Sequence, residues 1–360
     1  MDSEGNARRE PESPGREPAR EPSGGNGGGG RRRWPWIVGG LVALGLLGLA
    51  VVSVVLIVAL GAGGGVAGGA APVVYDEEYV SGEGSDKVAV IPVQGVIASS
   101  DSSLGGVQPT VTPEGLADAL TQAGDDARVR AVVLEVNSPG GGVTASDEMH
   151  QSIVDFKENN DKPVVVSMGD TAASGGYYIS APADRIVANE TTLTGSLGVI
   201  FQLNNFTELA DEYGYSQEII KSGEFKDIGN SFRDLTPEER EIFQGLVDQS
   251  YGEFVDVISS GRDIPEDRVR EVADGRIYSG EQARELGLVD SFGGLDEAAS
   301  EARRLADAGQ ATVVRYVQTP TFTDTVLSGL SPQPTQAERL LEEAGLTLEA
   351  KPYYLYLPGA

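Results

Sequence analysis

The sequence predicts an α/β fold built on a buried, largely parallel sheet. Ala131-Val132-Val133-Leu134-Glu135-Val136 and Pro163-Val164-Val165-Val166 are near-continuous apolar runs bounded by turn residues, the pattern of strands covered on both faces. Between them Ala145, Met149, Ile153 and Phe156 recur at helical spacing. Strand, helix and strand make a βαβ unit, for which a right-handed crossover is expected.

The first 33 residues are dominated by Arg, Glu, Ser, Pro and Gly without apolar periodicity. Nothing offsets the entropy of ordering them, so residues 1–33 read as a disordered cytoplasmic tail. From Trp36 to Leu60 there is no charge, and these 25 residues at helical rise span roughly 37 Å against a hydrocarbon core of about 30 Å. Residues 34–60 are therefore expected to form one tilted transmembrane helix. The rival reading is a cleaved signal peptide, because Gly61 to Ala71 is rich in small residues, but such an apolar region usually runs only about 7 to 15 residues. Arg31, Arg32 and Arg33 precede the helix while Asp76, Glu77 and Glu78 follow it. That bias places the N-terminus in the cytoplasm and the rest of the chain outside.

Residues 61–85 read as a linker, and one folded domain is expected over 86–318. It opens on the strand Val88-Ala89-Val90-Ile91-Pro92-Val93. Thr236 as N-cap, Pro237 in the first turn and Glu239 closing a capping box start a helix that runs to about Ser259, with Ile242, Leu246, Phe254 and Ile258 along one face. Further helices are expected over Glu266 to Val272, Gly280 to Glu285 and Asp296 to Ala306, then a last strand from Ala311 to Val317. No repeat of 20 to 50 residues is visible. Residues 319–360 form a C-terminal tail whose apolar end, Tyr353-Tyr354-Leu355-Tyr356-Leu357, is costly to leave in water. It is expected to dock, either on the domain surface or as an extended strand in an apolar active-site groove.

Composition narrows the chemistry. With one histidine and no cysteine, a thiol nucleophile and a disulfide are impossible, and a Ser-His-Asp triad could use only His150. His150 lies on the polar flank of the 145–156 helix and reads as a solvated or supporting histidine. No His/Cys spacing suits a metal and no carboxylate loop suits calcium, so no metal and no cofactor is expected. A net charge of −28, with 21 Arg and 6 Lys, speaks against nucleic acid or anionic lipid as partner of the globular part. A solvated acidic surface of the halophilic kind, suited to high salt, accounts for it; a surface tuned to basic substrates is the other reading.

A serine nucleophile then needs a lysine as base, donors for an oxyanion and a turn that presents the hydroxyl. Thr171-Ala172-Ala173-Ser174-Gly175-Gly176-Tyr177-Tyr178 puts Ser174 at a strand-to-helix turn, with glycines that permit close approach. Asn137-Ser138-Pro139-Gly140-Gly141-Gly142 ends the preceding strand at the carboxyl edge of the sheet, where open α/β folds bind ligands. Alone it is a turn or a phosphate cradle; beside Ser174 its N–H groups are oxyanion donors. Lys226 would be a surface lysine by composition alone. As a base its amine must be neutral, and a hydroxyl such as that of Ser196 would orient it.

These segments, with Thr194-Gly195-Ser196-Leu197-Gly198-Val199, Lys221-Ser222-Gly223 with Lys226-Asp227, and Ala273-Asp274-Gly275-Arg276-Ile277-Tyr278-Ser279-Gly280, resemble successive blocks of the signal peptide peptidase A family over residues 87–317. The resemblance implies a Clp protease/crotonase-like fold and a membrane-anchored Ser-Lys endopeptidase that cleaves remnant signal peptides and other membrane-derived peptides. By position it makes Ser174 the nucleophile, Lys226 the general base, Ser196 the hydroxyl that hydrogen-bonds the lysine, and Gly141 and Gly175 the oxyanion-hole donors. The family's short form is a homo-octamer in which serine and lysine come from adjacent protomers, and one copy of each block matches that form. This chain departs from the pattern in its long charged N-terminal tail, its acidity and the Glu224-Phe225 pair before Lys226. A crotonase-like acyl-CoA enzyme and a non-catalytic oligomeric membrane scaffold are the competing functions; the first would need catalytic carboxylates and a CoA pocket, and the second is at odds with the presence of Ser174 and Lys226.

Overall fold

The computed structural model describes residues 74–99, 109–318 and 352–355. The tail 1–33, the apolar run 34–60 and most of the C-terminal tail lie outside these residues. Among the described residues no helix is long and apolar enough to cross a membrane.

The main sheet is α/β as expected. It contains β1 (Asp76–Ser81), β2 (Lys87–Gln94), β5 (Val129–Ser138), β7 (Val164–Ala173), β8 (Arg185–Ala188), β12 (Ser291–Phe292) and β13 (Thr312–Val317) in the order β1-β13-β2-β5-β7-β8-β12. Every pair from β13 to β12 is parallel. Alternate residues go to opposite faces, which explains why the strand sequences are apolar throughout. Ala89, Ile91, Leu134, Val136, Val166 and Met168 join one core, while Val88, Val90, Ala131, Val133 and Val165 join the other.

The first core is covered by α1 (Pro113–Asp125), α2 (Val143–Asn160), the short α3 (Gly175–Ser180) and the second half of α5 (Pro237–Arg262); the second core is closed by α8 (Leu295–Leu305). Ala145, Met149, Ile153 and Phe156 of α2 are buried as their spacing requires. The α5 capping box forms, with the Glu239 N–H donating to Thr236 Oγ1 and the Thr236 N–H donating to the Glu239 carboxylate. Of the minor helices, α6 (Glu266–Val272) and α7 (Gly280–Glu285) occupy the spans expected; α4 (Thr207–Glu212) was not anticipated.

Three differences from the sequence reading have physical causes. Residues 76–81, within the expected linker 61–85, form β1 antiparallel to β13. Their charge suits an edge strand, where one side stays in water and discourages further pairing. The helix α1 escaped notice because only Leu116, Ala119, Leu120 and Ala123 are buried, a narrow stripe behind the Thr112 cap and Pro113. On α5, Phe254 and Ile258 are buried, but Ile242 and Leu246 on the same face are 42 % and 48 % exposed. The helix is longer than the core it packs on, so the first half of its apolar stripe finds no cover within the described chain.

A second, smaller sheet carries the site. Its order is β10 (Ile200–Phe201), β14 (Pro352–Leu355), β6 (Gly140–Gly142), β3 (Val96–Ile97) and β4 (Thr110–Val111). The C-terminal segment β14 runs antiparallel to β6, with Tyr353, Tyr354 and Leu355 opposite Gly142, Gly141 and Gly140, and antiparallel to β10 on its other edge.

Candidate active site

Ser174 follows directly on β7 and caps α3. Its φ of 53° and ψ of −118° are unusual for a residue with a Cβ, a strain of order 1–3 kcal/mol that persists only when the surroundings over-determine it. Here they do. The Ser174 N–H donates to the Gly195 carbonyl at 2.8 Å, and its own carbonyl accepts from the N–H groups of Tyr177 and Tyr178, both at 2.9 Å. The strand β9 (Leu193–Gly195) supplies Gly195; it runs parallel to the end of β7 and antiparallel to β11 (Ile277–Ser279). Ser174 is buried, yet its Oγ has no hydrogen-bond partner among the described residues. The hydroxyl is held in place by the backbone and is unengaged.

Gly140 takes a φ of 101°, open to glycine at little cost, and its N–H donates to Ser138 Oγ at 3.1 Å. That turn starts β6, where Gly141 lies so close to β3 that a Cβ on it would fall 1.9 Å from the Ile97 carbonyl oxygen. A Cβ on Gly175 would lie 3.2 Å from both the Gly141 nitrogen and the Gly140 Cα, and 2.6 Å from Ser146 Oγ. The two predicted oxyanion residues are thus brought together beside Ser174. On Gly176 a Cβ would stand 2.8 Å from the Ser138 carbonyl oxygen, which fits α3 tightly onto the end of β5.

Ser196 follows Gly195, half-buried, with a φ of 50° and its N–H on the Arg276 carbonyl at 2.7 Å. The 273–280 segment buttresses this turn, and the Gly275 N–H donates to the Leu197 carbonyl. Four of the five sequence blocks therefore converge on Ser174. The fifth does not join them. Lys226 is exposed on a turn, its backbone N–H donates to the Gly223 carbonyl, and no hydrogen bond or ion pair of its amine exists among the described residues. Burial of the amine, the condition expected from the sequence, is not met within one chain.

His150 sits beside the Tyr178 ring, with centroids 5.3 Å apart, and Tyr178 donates to Asp147. Burial pushes the His150 pKa down, partly opposed by Asp147. It makes no bond to Ser174 Oγ. The sequence reading did not include Ser146, which is fully buried on α2 and whose Oγ also lacks a partner among the described residues. A hydroxyl in the same stripe as Ala145, Met149 and Ile153 was the available signal.

The family model for "Peptidase family S49" matches residues 157–309. A protein of Enterococcus faecium assigned as a signal peptide peptidase SppA is 34 % identical over 292 residues, 79 % of this chain and 85 % of that protein. The chain belongs to peptidase family S49, the signal peptide peptidase A family. A protein of Synechocystis sp. assigned as a protease is 40 % identical over 220 residues, 61 % of this chain and 74 % of that protein. The chloroplastic serine protease SPPA of Arabidopsis thaliana is 33 % identical over 263 residues, 72 % of this chain but 39 % of that longer protein. Membership of family S49 makes this chain a protease, and its mixed α/β architecture is consistent with that family.

Proposed function

We propose that this protein is a membrane-anchored Ser-Lys endopeptidase acting on extended apolar peptides, remnant signal peptides among them. The observation that carries the reading is the engagement of β6 by a peptide strand. The chain's own segment 352–355 adds as a strand along Gly140–Gly142, next to the unengaged Ser174 hydroxyl. Strand addition is a general way to hold an extended peptide by its backbone. A substrate bound like this would present its carbonyl to Ser174 Oγ and to the N–H groups of Gly141 and Gly175.

In the first step Oγ bonds to the carbonyl carbon while its proton passes to a neutral Lys226 amine. That proton then goes to the leaving nitrogen as the C–N bond breaks. Water repeats the sequence on the acyl-enzyme and returns the hydroxyl. Because Lys226 is exposed on its own protomer, it would serve the Ser174 of a neighbouring copy, oriented there by Ser196. Uncovered apolar side chains between residues 200 and 246 favour such a homo-oligomer, an octamer by family resemblance. They include Ile220 at 95 % and Tyr213 at 78 % exposure, together with Leu209 and Leu246. The uncharged run 36–60 would anchor the assembly with its catalytic domain on the extracytoplasmic side. The tail end, seated where substrate would lie, acts as a competing ligand or a processed product.

A fluorophosphonate probe tests the dyad. Wild-type protein in high salt should be labelled, and Ser174→Ala and Lys226→Ala should both be silent with unchanged Tm and sedimentation. Labelling of Ser174→Ala equal to wild type removes the nucleophile assignment.

A further inference from the structure

One side chain ties the Lys226 turn to α5. Arg233 donates from Nε to Asp227 Oδ2 at 3.1 Å and from Nη2 to the Asp227 carbonyl at 3.0 Å. Its Nη1 and Nη2 also grip the two oxygens of Glu239, while Nη1 reaches the Asp234 carbonyl at 3.1 Å. All five guanidinium donors are used. Glu239 is 2 % exposed and belongs to the capping box that starts α5. The clamp therefore joins the residue immediately after Lys226 to the first turn of the longest helix.

The same cluster balances charge. Around Lys226 stand Lys221, Glu224 and Asp227 from its own turn, Arg233 from the following segment and Glu239 from α5. Lys221 bonds Asp227 at 2.6 Å, and its amine also reaches the Glu224 carbonyl, while the Glu224 side chain is exposed. Arg233 and then Lys221 hold the Asp227 carboxyl down to about 2, and Arg233 likewise lowers that of Glu239. Both carboxylates are committed to partners other than Lys226.

We propose that Arg233 is the positioning residue of the catalytic lysine: it fixes the Lys226–Asp227 backbone to α5 and neutralises the Asp227 carboxylate beside the working amine. This rests on the assignment of Lys226 as base. Lysine at 233 could supply the charge but not the five-donor fork.

The test is kcat and KM against pH for an apolar peptide, on the full-length protein, with Tm measured alongside. Arg233→Gln should lower kcat about 100-fold with little change in KM, as a small misplacement of a reacting group does. Its rising pH limb should move to higher pH, because carboxylates that lose their guanidinium partner favour the ammonium form. Arg233→Lys should return the limb to its wild-type position while leaving kcat depressed. In Arg233→Gln/Asp227→Asn the limb should move back toward its wild-type position, since the carboxylate adjoining Lys226 is gone while Glu239 stays released. A Gln variant that loses Tm but keeps the wild-type limb and kcat overturns the proposal in favour of a purely structural role. A limb no less displaced in the double variant than in Arg233→Gln overturns the charge argument, and an Arg233→Lys with full kcat overturns the positional one. Lys226→Ala at wild-type rate would instead strike at the base assignment beneath it.

Discussion

Gly175→Ala probes the close packing beside Ser174, the proposed nucleophile. The added methyl would lie 2.6 Å from Ser146 Oγ, inside any tolerated contact, and 3.2 Å from the Gly141 nitrogen and Gly140 Cα, where a shift of a few tenths of an ångström suffices. Ser146 sits on a buried face of α2 and cannot retreat far. Overpacking of this kind costs about 1–3 kcal/mol, or roughly 2–12 °C of Tm at about 2–4 °C per kcal/mol for a domain of this size. The strand–helix turn and the β6 edge must separate, and loss of one oxyanion donor costs about 10²–10³ in kcat. Adding Ser146→Ala removes the worst clash but leaves the backbone contacts. The double variant should recover most of the Tm and little of the kcat. Ser146→Ala alone should be as stable as wild type or more so, because its buried Oγ has no partner to lose. Differential scanning calorimetry and peptide hydrolysis on the four proteins decide the matter. Gly175→Ala with wild-type Tm and kcat would refute the close approach of the two glycine segments and, with it, their joint role as the oxyanion hole.

Three further outcomes follow from particular contacts. Lys87 is nearly buried and bonds Glu77 at 2.6 Å and Asp126 at 2.9 Å, tying β1 and the end of α1 to β2. Burial would raise the Asp126 pKa, but hydrogen bonds from Lys87 and Arg128 outweigh it and bring the value from 3.8 to about 2. Its stabilising contribution is then present above about pH 4 and lost as pH falls toward 2, so Tm should drop across that window, and Asp126→Asn should show a shallower drop from a lower start. With a net charge of −28, dilution from 1 M to 0.01 M salt extends the Debye length from about 3 Å to 30 Å; sedimentation should show dissociation or unfolding, and an unchanged profile would leave the acidity without a halophilic cause. Removing residues 352–360 should lower KM for a short apolar peptide by vacating the β6 edge; an unchanged KM with a lower Tm would mean that the tail serves packing alone.

Much of this architecture is written locally. A strand covered on both faces needs only a run of apolar residues, a helix start needs Thr, Pro and Glu at fixed offsets, and the strand-to-helix turn needs Ser174 followed by two glycines. Each is decided within a few residues, so the βαβ unit, the start of α5 and the Ser174 turn were legible in the chain. The cost of exposing an apolar terminus likewise pointed to a docked tail, and β14 is found on β6.

What the sequence could not give is who meets whom. The sheet order brings Gly140, Gly141, Ser146 and Gly195 to the Ser174-Gly175 turn from separate segments of the chain, and no local pattern encodes that convergence. Nor could periodicity reveal that Ile242 and Leu246 outrun the core or that Lys226 faces solvent, since an apolar stripe looks the same whether its own chain or a second copy covers it. The Arg233 clamp was hidden for a related reason: a guanidinium recruits carboxylates by where the backbone places them, and that placement is set by tertiary packing rather than by spacing. Residue chemistry fixed the reaction that this protein can attempt; packing fixed which atoms are positioned to carry it out.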